Sequence, residues 1–121
     1  LRSVSDKVRD SLDERQSLQV AVQELGQGLG VTVCNAALYD LEQGISTICY
    51  EYNTTIFPSQ GHVTQMADYP EIYQTLLQGR CLQFCNRLMD PIRGRVSTLA
   101  CPIIDDQEIL GDLWLLVDKE Y

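Results

Sequence analysis

Five cysteines, Cys34, Cys49, Cys81, Cys85 and Cys101, and one histidine, His62, are the thiols and the imidazole with which this 121-residue chain could bind a soft metal or build a nucleophile and its base. The cysteines are odd in number and none stands in a Cys-x-x-Cys spacing, which argues for reduced thiols in a cytosolic setting. Cys34, Cys49 and Cys101 lie inside apolar or β-type runs, where cysteine acts as a small buried hydrophobe. Cys81-x-x-x-Cys85 could offer two thiolates to iron–sulfur or zinc, or act as a redox pair. In a strand, however, positions i and i+4 lie about 13 Å apart, too far to share one ion. No metal site is assigned. His62 has no second imidazole beside it, which removes zinc-hydrolase chemistry, and nothing identifies a base for a serine or cysteine nucleophile. No catalytic residue is expected.

A second group of residues suits binding. Tyr50, Tyr52, Phe57, His62, Met66, Tyr69, Tyr73 and Phe84 combine apolar bodies with occasional polar tips, the lining expected of a pocket for a mostly hydrophobic small molecule. The same residues would equally fill a core between helix and sheet. Arg80, Arg87, Arg93 and Arg95 carry the basic character of the chain within sixteen residues, and Arg93 and Arg95 are the candidates to contact an anionic group. A solvated loop with its charges balanced by nearby acids is the alternative. The net charge of −8 opposes binding to nucleic acid or to an anionic membrane surface.

The elements that must position these residues can be read in order. Leu1, Val4, Val8, Leu12, Leu18, Val22, Leu25 and Leu29 recur at spacings of three and four, an amphipathic helix that Gly26, Gly28 and Gly30 bring to an end. In heptads the seam is interrupted at Ser11 and Arg15, and Ser11-Leu12-Asp13-Glu14 fits a capping box, so the helix is free to break there. A homodimer contact is expected at Leu1, Val4, Val8, Leu18 and Val22. Val31–Tyr39 and Ile45–Tyr52 read as an antiparallel pair, and Asn53–Gly61 as a loop. A second helix spans 69–78, with Asp68 as N-cap, Pro70 in its first turn and Gly79 as its stop. Cys81–Cys85 is a short strand, Asn86–Gly94 a polar loop, and Val96–Ile104 and Ile109–Val117 two strands around a four-residue acidic turn. The pattern is an α+β domain with an antiparallel sheet of five or six strands, a long N-terminal helix on one face and a helix with loops over the other.

Cys101-Pro102-Ile103 and Leu110-Gly111-Asp112-Leu113, flanking that turn, resemble the closing hairpin of GAF domains. Pro102 suits an edge or bulge position, and Gly111 suits a close backbone approach. The resemblance implies a single GAF-like domain over residues 1–121, with the helix at 1–29, the sheet within 31–118 and a small-molecule pocket between sheet and covering helix. The long amphipathic start resembles the signalling helices of cyanobacterial-type sensor histidine kinases. This implies a cytoplasmic module of a two-component protein whose parent chain supplies the kinase and is free to be membrane-associated. Bilin-binding members carry a Cys-His pair that is missing here, which argues against covalent bilin attachment. The Asn-Lys-x-x-x-Phe-x-x-x-Asp motif of cyclic-nucleotide binders is missing as well. Two alternatives stay open: a ligand-free dimerisation module, and a redox sensor using Cys81, Cys85 or an iron–sulfur cluster.

Overall fold

A computed structural model describes the backbone of residues 18–90 and 94–117 and the side chains of 18–84 and 98–117. Leu1, Val4 and Val8, the Ser11 capping box, and the side chains of Cys85, Arg87, Arg93 and Arg95 lie outside the described residues. Helix α1 (Leu18–Leu29) leads into strands β1 (Val33–Asp40), β2 (Ile45–Asn53) and β3 (Val63–Gln65). A 3-10 turn at Met66–Asp68 and helix α2 (Pro70–Leu77) follow, and then β4 (Leu82–Asp90), β5 (Gly94–Asp105) and β6 (Glu108–Val117). The six strands form one sheet in the order β3-β2-β1-β6-β5-β4, every neighbouring pair antiparallel.

Alternation along the strands divides the apolar residues between two layers. Cys34 and Ala36 of β1, Cys101 and Ile103 of β5, and Leu113, Leu115 and Val117 of β6 face α1, which contributes Val22 and Leu25. On the opposite face Ala100 packs with Met66, Tyr73 and Leu76, alongside Tyr39, Ile72, Leu82 and Trp114. Val22 has no exposed surface, and Leu18 packs against the same cluster. From Leu18 onward, therefore, the seam expected to meet a second chain holds the helix to its own sheet. Both uses require the same three-four spacing, so periodicity alone does not separate them.

Four further departures from the expected elements have local causes. β3 has only three residues, too few for alternation to reveal, yet pairs with Ile45–Thr47. The polar stretch after Cys85 continues β4 to Asp90, since ladder hydrogen bonds belong to the backbone and tolerate polar side chains. The closing turn is two residues long: Asp105 pairs with Glu108, and Asp106 and Gln107 take φ of 51° and 67°, the handedness that matches strand twist in tight hairpins. Finally, α2 is capped at Tyr69 without a side-chain bond, and Pro70 occupies its first turn.

Two close approaches fix the layers. A Cβ on Gly26 would lie 2.1 Å from the ring of Tyr52, so the glycine seats α1 on that tyrosine. A Cβ on Gly111 would lie 1.9 Å from the Ala37 carbonyl oxygen, where β6 presses against β1 beside its own irregularity at Leu110. Pro102 lies beyond Ala100, the last β5 residue paired with β4, and its missing N–H costs nothing on that side. Gly111→Ala should destabilise the domain by about 3 kcal/mol, because backbone rather than a flexible side chain must yield. Gly28→Ala, where a Cβ meets nothing within 4 Å, should gain about 0.5 kcal/mol. Urea denaturation of both variants checks the pair.

Candidate functional site

Between the sheet and α2 lies a cavity of about 470 Å³, open to solvent on one side. Its floor comes from alternate residues of three strands: Val33, Asn35 and Ala37 of β1, Ser46 and Ile48 of β2, and Asp112, Trp114 and Leu116 of β6, with Thr98 beside them. Ile72 and Tyr73 of α2, together with Tyr69 and Thr64, form one wall. Asn53 at the end of β2, and Phe57 and Ser59 in the β2–β3 connection, supply the other.

That connection, expected as an unstructured loop, is pinned by its own side chains. Asn53 Oδ1 accepts from the Thr55 N–H at 2.7 Å and from the Thr55 hydroxyl at 2.6 Å, while its Nδ2 donates to the Phe57 carbonyl at 3.0 Å. The Glu51 carboxylate accepts the Ser59 N–H at 2.9 Å, and Gln60 Nε2 donates to the Cys49 carbonyl at 3.0 Å. Asn and Thr bonding to nearby backbone make a turn without any hydrophobic period to announce it. Phe57 stands at the cavity wall still 58% exposed.

Asp112 is the one carboxyl group in the described lining and has no exposed surface. Tyr39 donates a 2.6 Å hydrogen bond to its Oδ2, whereas Oδ1 has no partner. Burial pushes the Asp112 carboxyl up to about 6, with hydrogen bonding from the Tyr39 hydroxyl and the Trp114 indole N–H to the carboxylate pulling in the opposite direction. Burial and the neighbouring Asp112 charge raise the Tyr39 phenol in turn. Tyr73 is also raised by burial and by Asp112, against the opposing effect of hydrogen bonds to Ser46 and Thr64. Its ring meets that of Tyr39 edge-on, centroids 5.7 Å apart. A second buried acceptor, Asn35 Oδ1, likewise has no partner. Asn35 is paired across β1–β6 with Trp114, and Asp112 with Ala37, so both polar residues stand on the cavity face of neighbouring strands.

Of the residues expected in a pocket, Phe57, Tyr69 and Tyr73 line this cavity. Met66 is buried in one cluster with Tyr73, and Phe84, on the edge strand β4, stacks on Trp114 with ring centroids 6.2 Å apart and planes 3° from parallel; neither Met66 nor Phe84 lines the cavity. His62 is exposed and does not line the cavity; its backbone bonds to Ser59 and Ile48. Tyr50 and Tyr52 pack on the opposite face, against the α1 cluster. The cause is a bulge in β2: Ala36 pairs with Tyr50 and Ala37 with Ile48, which leaves Cys49 unpaired and reverses the facing of every later side chain. Asn35, Asp112, Tyr39 and Trp114 were not among the expected site residues. Their one sequence signal is a polar residue inside an apolar strand, as in VTVCNAALY and ILGDLWLLV.

The four described thiols are dispersed. Cys34 and Cys101 are buried in the α1 layer, and burial pushes the Cys34 thiol up to about 12, far from a reactive thiolate. Cys49 Sγ donates to the Thr47 carbonyl at 3.4 Å, and Cys81 is half-buried against the α1 layer. Among the described residues no three His, Cys, Asp or Glu side chains gather as a metal site would require. No described helix is long and apolar enough to cross a membrane.

The folded Asp112 carboxyl binds its proton more tightly than the unfolded one, whose ordinary value is 3.8. The native state therefore holds the extra proton between about pH 4 and 6, and stability falls as pH rises through that window. Asp112→Asn removes this dependence, so its stability relative to the parent should rise by about 3 kcal/mol from pH 4 to pH 7. Chemical denaturation across that range measures the difference, and a pH-independent difference would contradict the assignment.

Neither a scan against protein-family models nor a search of curated proteins finds a match to this chain. Solved structures do resemble it. The GAF domain of an Acinetobacter phosphoenolpyruvate-protein phosphotransferase aligns with a TM-score of 0.68 at 17% identity, over 100% of this chain and 81% of that one. The corresponding GAF domain from Coxiella burnetii gives 0.67 at 14%, over 98% and 77%. The blue-light absorbing form of the Thermosynechococcus elongatus PixJ GAF domain gives 0.66 at 17%, over 95% and 73%. The order of strands, the helix on each face and these alignments together give the chain the α+β fold of a GAF domain.

Proposed function

We propose that this domain is a sensory module of a two-component signalling protein, in which a small molecule held over the sheet alters α1 and through it a histidine kinase elsewhere in the parent chain. The observation that carries the reading is the cavity of about 470 Å³ whose floor holds two buried acceptors without partners. Such groups cost free energy when left unsatisfied, and a ligand that bonds to them recovers it.

The route to α1 follows from the β2 bulge. The first half of β2 presents Ser46 and Ile48 to the cavity, and the second half presents Tyr50 and Tyr52 to the helix. Tyr52 lies directly under Gly26, so a small displacement of the strand meets no slack at the helix. A ligand that favours one position of β2 would shift the population of α1 positions by its difference in affinity for the two. Pairing of two copies through the helical pattern that begins before Leu18 would carry the shift onward to the kinase.

Protein purified from its own host and examined by native mass spectrometry should carry an extra mass that denaturing conditions release. A host metabolite extract should also raise the melting temperature of ligand-stripped protein. The purified chain's own mass alone, with a melting temperature unmoved by the extract, would leave the ligand-free dimerisation module as the better reading.

A further inference from the structure

The chemistry of the cavity wall narrows what can occupy it, on the premise of the sensory reading above. Both unpartnered atoms, Asp112 Oδ1 and Asn35 Oδ1, are acceptors, on side chains with 0% and 9% of their surface exposed. They sit on one face of adjacent strands, at a diagonal spacing of roughly 7 Å, within the span of one ring-sized molecule. Among the described lining residues there is no lysine, arginine or histidine, and the only carboxyl group is that of Asp112. Trp114, held parallel to Phe84, and Tyr73 supply aromatic surface beside these acceptors.

We propose that the cavity takes a planar nitrogen heterocycle with an amidine-like edge, whose N–H donors satisfy Asp112 and Asn35 while its ring lies against Trp114. An anionic ligand would bring its charge to a buried carboxyl with no described basic group to offset it, and a purely apolar ligand would leave both acceptors unsatisfied. A carboxyl that burial has pushed up to about 6 gains most from a partner bringing positive charge. Adding the charged edge restores the pairing that the fold itself withholds.

Isothermal titration calorimetry at pH 7 with 2-aminobenzimidazole and with indole-2-carboxylate tests the choice. The aminobenzimidazole should bind at least tenfold more tightly than the carboxylate. Asp112→Asn and Asn35→Leu should each weaken it at least fivefold while keeping melting temperatures that show a folded domain. Should Asp112→Asn fail to fold, Asn35→Leu reads the same edge from the neighbouring strand. Equal or tighter binding of the carboxylate, affinity unmoved by the substitutions, or no binding of the aminobenzimidazole overturns the proposal. If the aminobenzimidazole fails while the metabolite extract still raises the melting temperature, this inference falls and the sensory reading stands; if both fail, both fall.

Discussion

A carboxyl group with no solvent contact stands at the centre of the sheet, and much of the cavity is arranged around the cost of keeping it there. Asp112 lies on β6 opposite Ala37, flanked by Gly111, where that strand leaves no room for a Cβ against the backbone of β1. The Tyr39 hydroxyl meets one of its oxygens, Tyr73 meets the ring of Tyr39, and Ser46 and Thr64 meet the hydroxyl of Tyr73. This chain of contacts runs from β6 through β1 to α2 and β3, and thereby sets the position of the covering helix over the floor. It stops one bond short, at Oδ1. In a domain of this size, whose net stability is small, an unsatisfied buried acceptor is a cost that a bound ligand or an ordered water would offset.

The bulge at Cys49 gives the same sheet its second property. Without it, β2 would send all four of Ser46, Ile48, Tyr50 and Tyr52 to one face. With it, one strand reads the cavity at its beginning and touches α1 at its end. The two layers of the domain, otherwise separated by the thickness of the sheet, share a rigid element whose halves look in opposite directions.

Long periodic segments made the architecture legible in the sequence. The α1 stripe, the strands around Asn35 and Asp112, and Pro70 and Gly79 at the ends of α2 all carry local signals of the kind that pattern reading detects. The closing hairpin carried the family resemblance through Pro102 and Gly111, both of which occupy positions that their backbone properties require. What stayed hidden depended on pairing between distant segments. A bulge exists only relative to a partner strand, so the facing of Tyr50 and Tyr52 could not be taken from alternation alone. β3 is too short to show a period, and the loop wall around Phe57 is held by Asn53, Thr55 and Glu51 through bonds that composition does not reveal. Asp112 and Asn35 were visible only as polar residues in apolar strands, a signal that names a buried position without saying which face it serves.

The central claim is that the two acceptors in the floor are completed by something other than the chain itself. A crystal structure of the protein purified from its own host, with its ligand retained, tests it most directly. The account predicts density in the cavity over Trp114, with nitrogen atoms within about 3 Å of Asp112 Oδ1 and Asn35 Oδ1. A cavity filled instead by Phe57 and its loop, or a protonated Asp112 bonded to Asn35, would contradict it.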